Sequence, residues 1–176
     1  MLTIVQGGQT GVDRGAHAGA LASGWSLAGY MPHDRRDELG PIPDEVARYL
    51  IPSAKTGYAA RTVANVFMST AALIVVPNAE DPRVTPGTAK TLDLARDRRL
   101  PRRVADPTTS PEVLASWIWH DLVKPQPLLL FERPKEETKS VRLLVAGPRE
   151  SKWQGARVAT AALLRQVAQA LVALKR

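Results

Sequence analysis

Two rhythms of apolar residues alternate along the chain. Short β-rich runs suit buried strands, and longer stretches with apolar positions every three or four residues suit helices. Leu2-Thr3-Ile4-Val5 is the first short run and ends in a glycine turn; the alanine-rich residues 13–23 then read as a helix closed by Gly24. Residues 26–30 suit a second strand, and residues 33–43 form a charged loop with proline and glycine but no period. Residues 58–70 have helical spacing, with Ala59, Val63, Val66 and Phe67 on one side. Ala72-Leu73-Ile74-Val75-Val76 is apolar throughout, as in a strand covered on both faces. A loop through residues 78–87 leads to a helix over 88–98, a strand at 102–105, and a helix opened by Ser110-Pro111-Glu112, a capping serine before proline. Val141-Arg142-Leu143-Leu144-Val145 is a last strand ended by Gly147-Pro148. Residues 154–174 then form an amphipathic helix with Val158, Leu164, Val167, Leu171 and Leu174 inward.

Strands that alternate with helices call for a mostly parallel sheet covered on both faces: an α/β, Rossmann-like three-layer sandwich, with ligands at the carboxyl ends of the strands. The exception is residues 124–140, where prolines and charges flank an apolar run at 128–131; this stretch reads as a surface excursion with one edge strand. At 176 residues the expectation is a single domain over 1–176.

Composition changes this picture little. The chain is 44% apolar and 23% charged, as in ordinary globular proteins, and only its 5% aromatic content is low. The absence of cysteine excludes disulfides, iron–sulfur clusters, thiolate zinc sites and cysteine nucleophiles. The short apolar start is no signal peptide and no run is long enough to span a bilayer, so a soluble, cytoplasmic protein without a membrane partner is expected. The net charge of +7 favours an anionic partner. Nucleic acid is not expected, because the densest basic run, residues 96–103, is broken by Asp97, Leu100 and Pro101 and has no aromatic for base stacking.

Candidate chemistry lies at the strand-to-helix turns. In Gly7-Gly8-Gln9-Thr10-Gly11-Val12-Asp13-Arg14 the glycines permit close approach, and the free amides of a helix start attract anions. Thr10 and Asp13 also have capping-box spacing, which needs no ligand. A second turn, Val84-Thr85-Pro86-Gly87-Thr88, precedes a helix that carries Thr91 on the same face; Thr85 as cap with Pro86 behind it is the purely structural alternative. Between the two turns Arg61, Asn65 and Ser69, four residues apart, form a polar stripe opposite Val63, Val66 and Phe67. Arg35, in the loop before Gly40-Pro41-Ile42-Pro43, would supply forked donors to a bound anion or belong to a plain charged surface. His17, His33 and His120 lack ligand-type spacing, and no protein metal site is expected.

Five blocks, in order over nearly the whole chain, resemble the molybdenum cofactor carrier family: residues 7–14, Gly40-Pro41-Ile42-Pro43, Arg61-Thr62-Val63-Ala64-Asn65-Val66, Gly87-Thr88 with Thr91, and Val145-Ala146-Gly147-Pro148-Arg149-Glu150-Ser151-Lys152. The resemblance implies a Rossmann-like fold, related to the lysine-decarboxylase-like phosphoribohydrolases, a homo-oligomer (dimer or tetramer), and carriage of molybdenum cofactor or a similar anionic ligand without catalysis. Its implied ligand contacts are Gly7, Gly8, Gln9, Thr10 and Gly11 through the turn, Arg14, Arg35 and Arg61 through charge, and Asp13 and Asn65 toward a heterocycle or toward the loops. Ser69, Gly87, Thr88 and Thr91 complete the set, and Mg²⁺ is a candidate companion of the phosphate. Pro86 stands where the family has a glycine, and residues 30–35 and 124–140 also depart from it. The rival reading is a phosphoribohydrolase acting on nucleoside monophosphates. Thr91 stands at the place of that group's glutamate and has no carboxylate to offer the ribose. A nucleotide sensor would use the same pocket.

Overall fold

The computed structural model describes residues 1–124 and 140–174. The apolar run expected as an edge strand at 128–131 lies outside the described residues. In chain order the elements are β1 (Leu2–Val5), α1 (Val12–Ala22), β2 (Ser26–Ala28), β3 (Tyr30–Met31), β4 (Arg36–Asp37), β5 (Gly40–Pro41), α2 (Asp44–Ala47), β6 (Ile51–Pro52), α3 (Tyr58–Met68), β7 (Ala71–Val75), α4 (Pro86–Asp97), β8 (Arg102–Ala105), α5 (Pro111–Trp117) running into a π-helical turn (Ile118–Val123), β9 (Val141–Ala146) and α6 (Ala156–Leu174).

The apolar runs with no polar face become the centre of a five-stranded sheet, ordered β2-β1-β9-β7-β8 and parallel throughout. Alternate residues of each strand serve opposite faces. Ile4, Leu73, Val75, Leu143 and Val145 meet α1, α5 and α6 in one core, while Val5, Ala72, Ile74 and Leu144 meet α3 and α4 in the other. The result is the α/β, Rossmann-like three-layer arrangement. Its last strand is the middle one. Placing β9 and α6 ahead of β1 turns the strand order into 3-2-1-4-5, that of a doubly wound sheet. The order therefore reverses between β9 and β7, and loops after those two strands flank a crevice at their carboxyl ends.

Several local expectations are corrected. The strand read over 26–30 breaks at Gly29 (φ 145), where a Cβ would lie 1.9 Å from the Gln6 carbonyl oxygen. β3 therefore leaves the main sheet and pairs with β6. The aperiodic loop at 33–43 is ordered by the β4–β5 hairpin, and it runs into α2, so Ile42, Val46 and Leu50 close over Met31 as a small third core. In α3 the buried side takes residues from both stripes: Asn65, Val66 and Ser69 are buried, whereas Phe67 is 61% exposed beneath the Arg98 guanidinium. In α6, Val158 and Leu174 face solvent, and Ala156, Thr160, Leu163, Leu164, Val167 and Leu171 hold the three-and-four spacing of the buried face. By length and composition α6 is also able to cross a membrane, with mean hydropathy 1.2, which corrects the reading that no such segment exists. Here its apolar side packs on α1 and α5.

Candidate ligand-binding site

The crevice at the strand-order reversal is a cavity of about 340 Å³. Tyr58, Arg61 and Thr62 of α3 line one wall, and Thr85, Gly87, Thr88 and Thr91 at the opening of α4 line another. The turn after β9 adds Gly147, Arg149 and Lys152, and the first turn adds Gln9 and Asp13. A wider groove of about 530 Å³ between α5 and α6 is lined by no strand residue and by no basic side chain.

Close backbone packing shapes the crevice. Gly147 lets β9 lie against β7, since a Cβ there would stand 2.0 Å from the Val75 carbonyl oxygen. At α4, Thr85 Oγ1 accepts the Thr88 N–H at 3.1 Å, and Pro86 fills the first helical position. Thr91 Oγ1 donates to the Gly87 carbonyl at 3.0 Å, which places a hydroxyl, not an acid, in the cavity wall. Gly87 N–H has no acceptor among the described residues, as suits the second residue of a helix.

Asp13 and Arg61 form a buried pair: Arg61 Nη1 donates to Asp13 Oδ2 at 2.8 Å, with side-chain exposures of 13% and 6%. Burial pushes the Asp13 carboxyl up from its ordinary value, against the Arg61 charge and the amides of Gln9 and Gly7. The guanidinium lies over Gly7, where a Cβ would be 1.7 Å from Nη1. The first glycine of the turn thus makes room for protein.

The rest of that turn follows suit, which alters its expected role as an anion cradle. Gly8 N–H donates to Gln6 Oε1 at 2.6 Å, Gln9 N–H to Asp13 Oδ2 at 3.1 Å, Thr10 N–H to Gln9 Oε1 at 3.0 Å, and Val12 N–H to the Pro148 carbonyl at 3.1 Å. Leu50 and Ile42 cover Gly8, and the backbone of residues 148–150 covers Gly11. The capping box does not form: Gly11 is the cap residue, and Thr10 Oγ1 instead donates to Glu38 and accepts the Glu150 N–H.

Glu38 ties the loop to both turns. It accepts hydrogen bonds from Thr10 and from the Ser151 hydroxyl and amide, and it pairs with Arg149 Nε at 3.2 Å. Partial burial works to raise its carboxyl, but the bonds from Ser151 and Thr10 and the Arg149 charge outweigh it and hold the group below its ordinary value. Arg14 is spent on Asp37 at 2.7 Å and on the Gly8 carbonyl at 3.1 Å. Arg35 is exposed, outside the cavity. Asn65 grips β3 by both polar atoms, accepting the Tyr30 N–H at 2.6 Å and donating to the Tyr30 carbonyl at 2.9 Å; Ser69 Oγ donates to the Asn65 carbonyl.

Of the residues expected at a ligand, Gln9, Asp13, Arg61, Gly87, Thr88 and Thr91 meet in the cavity, and Gly7 and Asn65 line a small void of about 20 Å³ that shares its Asp13–Arg61 wall. Gly8, Thr10, Gly11, Arg14, Arg35 and Ser69 do not line the cavity; each is held by, or packed against, other parts of the protein or faces solvent. Arg149 and Lys152, absent from the expected set, line the cavity. Their signal was present in the sequence: Gly147-Pro148-Arg149-Glu150-Ser151-Lys152 is a third glycine turn between a strand and a helix. Lys152 has no acidic partner among the described residues. No group of three or more His, Asp or Glu side chains among the described residues is placed to hold a metal ion.

An open parallel sheet with a basic crevice at its order reversal defines a Rossmann-like α/β domain. Residues 4–168 match the circularly permutated YpsA SLOG family, and the chain belongs to that family. The displaced central strand is the structural counterpart of that name. A crystal structure from Syntrophus aciditrophicus, of a "Putative molybdenum carrier protein", superposes with a TM-score of 0.70 at 26% identity, covering 94% of this chain and 93% of the other. No curated protein matches the chain.

Proposed function

We propose that this protein is a non-catalytic carrier whose crevice between β9 and β7 holds molybdenum cofactor or a closely related phosphorylated ligand. The observation that carries this reading is that an uncommitted cation, Lys152, lines the same cavity as Gly87 and Thr88 at the opening of α4. Cations and helix-start amides together favour phosphate and oxo-anions. Arg149 adds a second charge at the cavity wall, half committed to Glu38. The volume of about 340 Å³ lies at the lower end of small-molecule sites, and the cavity is open to solvent, so a ligand larger than that volume projects outward. Similarity to a solved protein named a molybdenum carrier supports a molybdenum-related cargo.

The residues argue for holding the ligand without cleaving it. Thr91 bonds the helix backbone, and Asp13, the one carboxylate lining the cavity, is tied to Arg61. Neither is a free general base. A Mg²⁺ ion would enter with the ligand's phosphate.

The test is calorimetric titration of the purified protein with molybdenum cofactor, molybdate and nucleoside monophosphates, beside an assay for free base. Tighter binding of the cofactor than of the nucleotides, with no base released, is the expected result. Equal binding, or release of base from a nucleoside monophosphate, contradicts a carrier and favours a phosphoribohydrolase.

A further inference from the structure

We infer that Tyr58 is the stacking platform of the cavity, so that the ligand carries a planar, unsaturated ring besides its anionic group. The inference rests on the reading of the crevice as the ligand site and adds the residue that would hold the ring of such a ligand.

Tyr58, Arg61 and Thr62 are spaced three and four apart and project from one face of α3, the face that lines the crevice. Aromatic residues are scarce in this chain, no described one besides Tyr58 lines the cavity, and all of these others except Tyr30 have ring or core contacts. The four tryptophans pack in or against the larger core, Tyr49 meets His17 edge-on and carries Arg48, and Phe67 lies under Arg98. Tyr58 instead stands at the cavity 44% exposed, and its hydroxyl has no hydrogen-bond partner among the described residues. The wall it shares with Thr62 is uncharged up to Arg61, and Arg61 is neutralised by Asp13. The cavity therefore has one side built for charge, at Arg149, Lys152 and the start of α4, and another that offers the uncommitted aromatic side chain of Tyr58. A flat heterocycle linked to a phosphate matches both sides; an inorganic anion uses the first alone.

Calorimetry with two probes, neopterin monophosphate and inorganic pyrophosphate, separates the contributions in the wild type, Tyr58→Ala and Tyr58→Phe. Stacking of a flat ring on an aromatic side chain is worth roughly tenfold or more in affinity. Tyr58→Ala should lose about that factor for neopterin monophosphate and change pyrophosphate less than twofold, while Tyr58→Phe should bind both as the wild type does. Equal loss for both probes, or no loss for either, overturns the inference. Wild-type protein that binds pyrophosphate but gains nothing from the pterin also overturns it, with the anion site intact; failure to bind either probe overturns the inference and the site together. Circular dichroism of the Tyr58→Ala protein should match the wild type, since the side chain lies at the surface end of α3.

Discussion

At the scale of single residues, the strongest commitment is the buried ion pair between α1 and α3. Removing one partner of such a pair strands the other charge away from water, at a cost of about 3–5 kcal/mol. Arg61→Ala should therefore lower stability by about that amount in urea unfolding. Asp13→Asn added to it should restore part of the loss, because an amide does not need the guanidinium; a double variant less stable than Arg61→Ala contradicts the pairing argument. Glu38 makes a prediction in pH. Its carboxyl titrates below the ordinary 4.5 in the folded protein, so the stability it contributes is complete above that value and is lost as the pH falls through the lowered one. The gap in urea midpoint between wild type and Glu38→Gln should be widest near neutral pH and shrink as the pH falls below 4.5 and through the lowered value; a gap that does not vary with pH would show that the charge of Glu38 is idle. These residues also mark the limit of reading a sequence. Gln9, Asp13 and Thr91 are identifiable from strand-to-helix turns, because turn and helix geometry is local. Whether Gly7 faces a ligand or the Arg61 guanidinium depends on contact across 54 residues, and no local pattern reports it.

At the scale of elements, the alternation of strand and helix was legible because strands buried on both faces, such as β7, must be apolar throughout. The misreadings fall where one backbone crosses another: β2 stops where Gly29 passes over Gln6, and α3 turns its polar side inward because β3 and the first turn supply partners there. Strand order was not legible either, since nothing local in residues 141–146 says that the last strand pairs between β1 and β7. That order has a consequence for chain connectivity. Met1 lines the same groove as Leu171 and Val172 of α6, so the ends of the described chain approach each other. A variant that joins residue 176 to residue 1 through a short glycine linker and opens the chain within residues 125–139 should keep the wild-type circular dichroism and a cooperative unfolding transition. Loss of either would contradict the doubly wound connectivity read from the sheet.

At the scale of the whole molecule, a net charge of +7 favours anions around the surface, and on the proposed reading the crevice between β9 and β7 is where one would be held. The sequence alone placed that site at the first glycine turn together with the second. In the folded protein the first turn is a structural joint, its amides taken by Gln6, Gln9, Asp13 and Pro148, and the open positive charge lies after β9. The central claim is that the crevice between β9 and β7, with Lys152 at its wall, is where the ligand sits. Calorimetric titration of molybdenum cofactor into the wild type and into Lys152→Glu tests it most directly. Measurable binding to the wild type and at least a roughly tenfold loss on charge reversal are expected, since a close charge-assisted contact is worth about 1.5–3 kcal/mol. Unchanged affinity in the Lys152→Glu protein, with the fold intact, would mean that the ligand sits elsewhere.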